Sequence, residues 1–424
     1  MHWTSGHRTA RFAAYSAIFA IATLICHASV AAPDEELLGK AEGYPIGHTR
    51  QQAYRQKYIV GSFSAMDQIE PSCALAPSAE PRLLKQAQTP LAVTYRYQGQ
   101  TLTLDDYFQH QRVTAALVLK DGEIIAERYN YARTPDMRML SNSMAKTIVG
   151  LALGKAREEG LIHSFDDTAE TYVPQLAGTL YGGTRLVNLM RMASGARYIE
   201  EYSKDDDRAR FNAIFRRDGT IAAARSITAR AEPEGEKFNY AGAQTQVLGL
   251  VLRAATGRSL CDYVDEKLWR PLGAEAKATW LTNPVDQVEI ASGDFNATVR
   301  DYARLGAMLA DGGKVRGQDV VSPDTLRAMT DPDRQPEAFR PGHMVYHGHT
   351  YFGYGLQVWL LPGSHHQFAL LGIYGQAIYV DPVLRLVMVH TAVGKDAAGD
   401  ASGNHLGAER EALWRGLVDH YGGQ

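Results

Sequence analysis

Two β-rich runs, Val113–Lys120 and Glu123–Tyr129, flank Asp121-Gly122. An Asp-Gly pair between such runs is a strong hairpin signal, because a tight turn needs positive φ and glycine adopts it without steric cost. An antiparallel hairpin argues against a doubly wound parallel sheet, in which each strand feeds a crossover helix. The last third of the chain repeats the theme. Segments 354–360, 376–380 and 385–391 read as strands, the last two around the turn signal Asp381-Pro382. Between these strand-rich ends, 165–280 is mostly helical text broken by Gly, Pro and Asp. The expected fold is therefore α/β (α+β), an antiparallel sheet flanked by helices with a mostly helical insert.

Three helices are well marked. One spans 141–159 and ends at Gly160; a second spans 243–255 and ends at Gly257, the residue type that accepts a left-handed cap. A third spans 300–309, opened by Thr298 with Asp301 three residues on and closed by Gly312-Gly313. The implied organisation is a segment 1–31, an N-terminal extension 32–100, a body made of 101–160 with 285–424, and a helical insert 161–284. No repeat or low-complexity tract is visible.

The first 31 residues read as an export signal. His2, His7, Arg8 and Arg11 give a basic start, 12–25 is apolar, and small residues gather at Ala28-Ser29-Val30-Ala31 before a polar stretch. Cleavage after Ala31 is expected, giving an exported protein, periplasmic or secreted. Cleavage removes Cys26 and leaves Cys73 and Cys261, either paired or as two buried thiols. The net charge of -3 offers nothing to nucleic acid or to an anionic membrane.

Ser143-Met144-Ala145-Lys146 is the sharpest chemical feature, and no other Ser-x-x-Lys occurs. A spacing of i, i+3 near a helix start puts both side chains on one face. The unpaired N–H groups of a first turn can hold a developing oxyanion. A lysine whose pKa is lowered by burial can take the proton of a serine hydroxyl, which is otherwise a weak nucleophile. Tyr240, in Phe238-Asn239-Tyr240-Ala241-Gly242, precedes a helix. Beside a lysine ammonium its phenol is expected to acidify toward a general base.

Ser143-x-x-Lys146, Tyr240-Ala241-Gly242 and Leu371-Gly372-Ile373-Tyr374-Gly375-Gln376 follow the order and spacing of three motifs in serine β-lactamase-like hydrolases. The chain resembles the class C-like subgroup of that family. Leu186-Val187-Asn188-Leu189-Met190-Arg191-Met192-Ala193-Ser194-Gly195 and Leu268-Trp269-Arg270-Pro271-Leu272-Gly273 resemble further family phrases, as does the run from Phe295 to Gly306. Gly372-Ile373-Tyr374-Gly375-Gln376 is most similar to the third motif of 6-aminohexanoate-dimer hydrolases and related esterases. The resemblance covers 101–424 and leaves 32–100 uncovered.

The resemblance implies a serine hydrolase of small ester or amide substrates, working through an acyl-enzyme without cofactor or metal. It casts Ser143, Lys146 and Tyr240 as catalytic, and the backbone N–H groups of Ser143 and Ile373 as the oxyanion hole. Tyr202, in the loop Glu200-Glu201-Tyr202-Ser203, would touch substrate, as would Gly242 and Gly372. The chain departs from β-lactamases in two places. Gly242 stands where they carry Asn, and no Lys-Thr-Gly exists; the matching region is the apolar Leu370-Leu371-Gly372-Ile373. The alternatives are a β-lactamase, a D-Ala-D-Ala peptidase, or a penicillin- or peptidoglycan-binding protein without turnover. His343, His347, His349, His365 and His366 are read as surface or packing residues rather than ligands. Oligomeric state is left open.

Overall fold

A computed structural model of the protein describes residues 1–3, 32–202 and 205–422. The export signal expected in 1–31 thus falls almost wholly outside the described residues. Ala32–Gln424 forms one compact unit.

The expected hairpin is present: Val113–Lys120 (β1) pairs antiparallel with Glu123–Tyr129 (β2), and Asp121 and Gly122 turn the corner at φ 53° and 82°. Both runs belong to a seven-stranded antiparallel sheet whose other strands come from the far end of the chain. These are Gly353–Tyr354 (β3), Trp359–Leu360 (β4), Phe368–Gly372 (β5), Gln376–Asp381 (β6) and Leu386–Ala392 (β7). The order is β3-β4-β5-β6-β7-β1-β2, and the two chain ends join where β7 pairs with β1.

Every residue of β1 from Val113 to Leu119 is buried. The sheet is covered on both faces, which turns the usual alternation into a continuous apolar run. Leu117, Leu119, Ile378 and Val389 pack with the helices Ala145–Glu158 (α1), Gly242–Thr256 (α2) and Val299–Ala310 (α3). Their neighbours Ala116, Val118, Tyr379 and Met388 face the other way, against Leu413 and Trp414 of Leu406–His420 (α4) and against Tyr107 and Phe108. Helix α3 lies so close that a methyl at Gly306 would come within 2.4 Å of Val387 Cγ1. Thr298 caps α3 by accepting the Asp301 N–H, and Gly257 ends α2 in the left-handed conformation, both as expected.

The chain differs from expectation in three places. Segment 354–360 is not one strand but the two short antiparallel strands β3 and β4. Between them Gln357 turns inward at φ 63°, donating to Met190 O at 2.9 Å and accepting from Thr245 Oγ1 at 2.7 Å. Satisfying those buried groups outweighs continuing the strand. Next, the 141–159 helix opens with a separate 3-10 turn, Asn142–Met144, before α1 begins.

The N-terminal extension is also more ordered than its sequence suggests. Its Ser72–Leu75 forms the edge of a four-stranded antiparallel sheet with Ala278–Leu281, Phe295–Thr298 and Arg138–Leu140. Thr94–Tyr97 and Gln100–Thr103 make a hairpin around Gln98-Gly99, and Gln56–Ser62 is a helix. Ile59, Phe63 and Met66 pack on Leu140, Leu281 and Val393. The structure joins Cys73 to Cys261, Cα atoms 6.4 Å apart, so of the two readings of these cysteines it takes the paired one.

Candidate active site

The end of β5 and the 3-10 turn of Ser143 meet at backbone distance. A methyl at Gly372 would come within 2.3 Å of Ser141 O and 3.1 Å of Ser143 N, so only glycine lets the strand pass. Ser141 is fixed from behind: its N–H donates to Phe295 O at 2.7 Å and its hydroxyl accepts from Phe295 N at 3.1 Å. Asn142, at φ 46°, donates to Ile373 O at 3.1 Å and ties the turn to the strand end. Ser143 N and Ile373 N thus belong to two elements clamped together.

Lys146 lies one helical turn beyond the serine. Its Nζ donates to Ser143 Oγ at 2.9 Å and to Ser292 O at 2.5 Å, and lies 5.1 Å from the Tyr240 ring centroid. Burial lowers the pKa of this ammonium to about 8, although the Glu200 and Asp294 carboxylates pull the other way. It is thus far easier to deprotonate than a solvated lysine.

Tyr240 stands immediately before α2, stacked on Trp359 with centroids 5.7 Å apart. The expectation that its phenol acidifies is overturned. Burial pushes its pKa well above the ordinary value, reinforced by Tyr354 and Glu200, while a hydrogen bond with Ser143 only partly opposes this. The cause is that Lys146 is itself desolvated and the neighbours of Tyr240 are aromatic or anionic. Of the two groups, the Tyr240 phenol is thus the one held protonated, and Lys146 the one more easily deprotonated.

The Gly372-to-Gln376 motif holds its own turn. Tyr374 adopts φ 61°, its N–H donates to Ala397 O at 2.8 Å, and its ring packs on Tyr54 and Phe63, each at 5.6 Å. Gln376 donates to Ala392 O at 2.7 Å and accepts from Ala392 N at 3.2 Å, pinning the turn to β7. Buried His390 reaches Gly375 O at 2.6 Å and Tyr107 OH at 2.9 Å. Burial pushes its pKa down to about 3, so it is neutral and donates from Nδ1 to the carbonyl.

Two arms of a cleft diverge from Ser143. The narrow arm, about 200 Å³, is lined by Tyr240, Tyr346, Trp359 and Leu371, with Gly372 and Lys395. The wide arm, about 530 Å³, is lined by Lys146, Glu200, Tyr202 and Gly242, and by Arg50, Arg208, Arg216 and Asp294. All seven site residues read from the sequence line one arm or both. Glu200 accepts the Gly242 N–H at 2.6 Å and the Tyr202 hydroxyl at 3.2 Å, so it orders that side of the cleft. The cleft is richer in cations than the apolar 370–373 region suggests, because the charge arrives from distant segments. Lys395 pairs with Asp34 at 3.6 Å and Arg50 with Asp294 at 2.6 Å. Arg50, Arg208, Ser292 and Asp294 belong to no motif, and nothing local in the sequence marks them. Of the histidines read as surface or packing residues, His343 lies against Glu337, His365 against Asp381 and His366 against Asp331.

Comparison with known proteins gives a consistent result. The beta-lactamase family model matches residues 98–410. The 6-aminohexanoate-dimer hydrolase of Paenarthrobacter ureafaciens is 28% identical over 372 residues, 83% of this chain and 88% of that protein. A candidate 6-aminohexanoate-dimer hydrolase from Bacillus anthracis superposes with a TM-score of 0.76 at 22% identity, covering 88% of this chain and 97% of that one. A family VIII carboxylesterase superposes with a TM-score of 0.53 at 18% identity, over 72% and 93% of the two chains. The fold is thus of the β-lactamase/transpeptidase-like type.

Proposed function

The chain belongs to the beta-lactamase family, and from that premise we propose that it is a serine hydrolase of small esters or amides, working through an acyl-enzyme. One observation carries the reading: a buried lysine with pKa lowered to about 8 sits 2.9 Å from the hydroxyl of a serine in the 3-10 turn that leads into α1. Neutral Lys146 takes the Ser143 proton as Oγ attacks the carbonyl. The oxyanion forms against the N–H groups of Ser143 and Ile373, which the Asn142 and Gln376 contacts hold in place. Tyr240 gives its proton to the leaving group and recovers one from the Lys146 ammonium. Water then enters by the reverse relay and releases the acid. The named activities of the similar proteins, a 6-aminohexanoate-dimer hydrolase and a carboxylesterase, support this substrate range.

The test is covalent labelling. A fluorophosphonate probe should label the wild-type protein and leave Ser143→Ala unlabelled; labelling that survives the substitution would end the assignment. A fluorescent penicillin applied in parallel separates this reading from a penicillin-binding protein without turnover.

We further propose that the protein is exported, a reading supported by the Cys73–Cys261 bond, since such bonds persist in oxidising compartments. Mass spectrometry of exported protein should find an N-terminus close to Ala32, and intact Met1 on that material would refute the export signal.

A further inference from the structure

We propose that the wide arm is a subsite for a carboxylate carried by the substrate, with Arg208 as its receptor and Arg50 beside it. This rests on the serine-hydrolase reading and narrows its substrate class to esters or amides bearing one free carboxylate away from the bond that is cut.

Three arginines line the wide arm, and two are occupied: Arg216 donates to Glu70 at 3.2 Å and Arg50 to Asp294 at 2.6 Å. Arg208 makes no side-chain hydrogen bond among the described residues, and the nearest carboxylate oxygen, on Asp206, is 3.8 Å from its Nε. That carboxylate already accepts the N–H groups of Ala209 at 2.7 Å and Glu201 at 3.0 Å. The Arg208 guanidinium instead lies over the Tyr202 ring, 5.1 Å from its centroid, with 28% of the side chain exposed. Stacking fixes the plane of a fork whose donors are unspent. Arg50 adds a second unanswered donor, Nη1.

The anions facing the arm do not quench this fork. Glu200 is taken by the Gly242 N–H and the Tyr202 hydroxyl, and Asp294 by Arg50. A half-buried guanidinium with free donors is matched best by a planar carboxylate, which accepts two parallel N–H bonds at once. An alcohol or a methyl group in its place leaves those donors unpaired.

The experiment compares three esters: neutral p-nitrophenyl butyrate, mono-p-nitrophenyl adipate with its carboxylate on the acyl side, and 4-carboxyphenyl butyrate with its carboxylate on the leaving group. In Arg208→Gln, kcat/KM for one carboxylate ester should fall about 10- to 100-fold relative to the neutral ester, mostly through KM. Arg208→Lys should recover part of that ratio, which loss of the Tyr202 stacking alone would not allow. In the wild type, adipate should compete with butyrate ester turnover, and 1-hexanol should not; this readout needs no variant. Equal losses on all three esters, or a wild type that favours p-nitrophenyl 6-aminohexanoate over the adipate ester, would overturn the subsite. A wild type that neither labels with fluorophosphonate nor cleaves the neutral ester brings down the hydrolase reading itself, a different failure from that of the subsite.

Discussion

The two arms of the cleft share one serine and are walled differently on the sides nearest to it. The narrow arm is walled by rings, Tyr240, Tyr346 and Trp359, and by Leu371 at the end of a central strand. The wide arm is walled by charge, with Arg50 from the N-terminal extension and Arg208 and Arg216 from the helix Asp207–Asp218. Rings stacked on a sheet form a rigid template. Long ionic side chains from an inserted helix and a terminal extension can be exchanged without touching the sheet. On this reading the chemistry resides where the two arms meet, and selectivity in the walls.

The sharpest way to break that division is at the meeting point. Ser143→Ala should abolish turnover of neutral and anionic esters alike, and Lys146→Ala should be nearly as severe because the pair acts as one unit. Lys146→Ala retaining near-normal rates would show the lysine to be structural. Tyr240→Phe should lose on the order of 10²–10⁴ in kcat/KM, the span of one general acid–base group, equally on both ester types. A loss confined to one type would make Tyr240 part of a wall instead.

The comparison sharpens with a β-lactam. Its carboxylate lies beside the reacting amide, where the strand presents Leu371 and Gly372; Lys395, which also lines that arm, is paired with Asp34 at 3.6 Å, and Arg208 stands in the other arm. Burying an unpaired carboxylate costs at least a few kcal/mol. kcat/KM for p-nitrophenyl butyrate should therefore exceed that for nitrocefin, and the reverse order would refute the division of labour. The smallest expected effect is in pH. Lys146 must be neutral to accept the proton, so kcat/KM should rise about tenfold per unit up to about pH 8 and then level off. Because Tyr240 is shifted upward, no falling limb is expected just above that plateau. A profile flat from pH 6 to 9 would remove Lys146 as the base.

Legibility followed the same boundary. The hairpin at Asp121-Gly122, the caps at Thr298 and Gly257, and the Ser143, Lys146 and Tyr240 motifs could be read because each is fixed by local geometry or by chemistry tied to one spacing. The inward turn at Gln357 could not, since its reason is a set of buried groups on Met190 and Thr245, remote in sequence. The acidification expected for Tyr240 failed for the same kind of reason: its pKa answers first to burial and then to Tyr354 and Glu200, all of which distant segments supply. Arg50 and Arg208 were invisible because an arginine's meaning lies in what it leaves unpaired, which appears only once the chain is folded.

The bond between Cys73 and Cys261 bears on how the molecule is made. It spans 188 residues, an interval containing Ser143, Lys146, Glu200, Arg208 and Tyr240. A chain emerging from its N-terminus cannot close this loop until those five residues have appeared, while the strands β3 to β7, with Trp359, Leu371 and Gly372, follow still later. In the chain-entropy view, closing a loop of that length removes about 5 kcal/mol of freedom from the unfolded ensemble. Oxidation therefore falls late in biosynthesis, and an assembly made in a reducing compartment would have to hold its N-terminal extension, with Arg50, by packing alone.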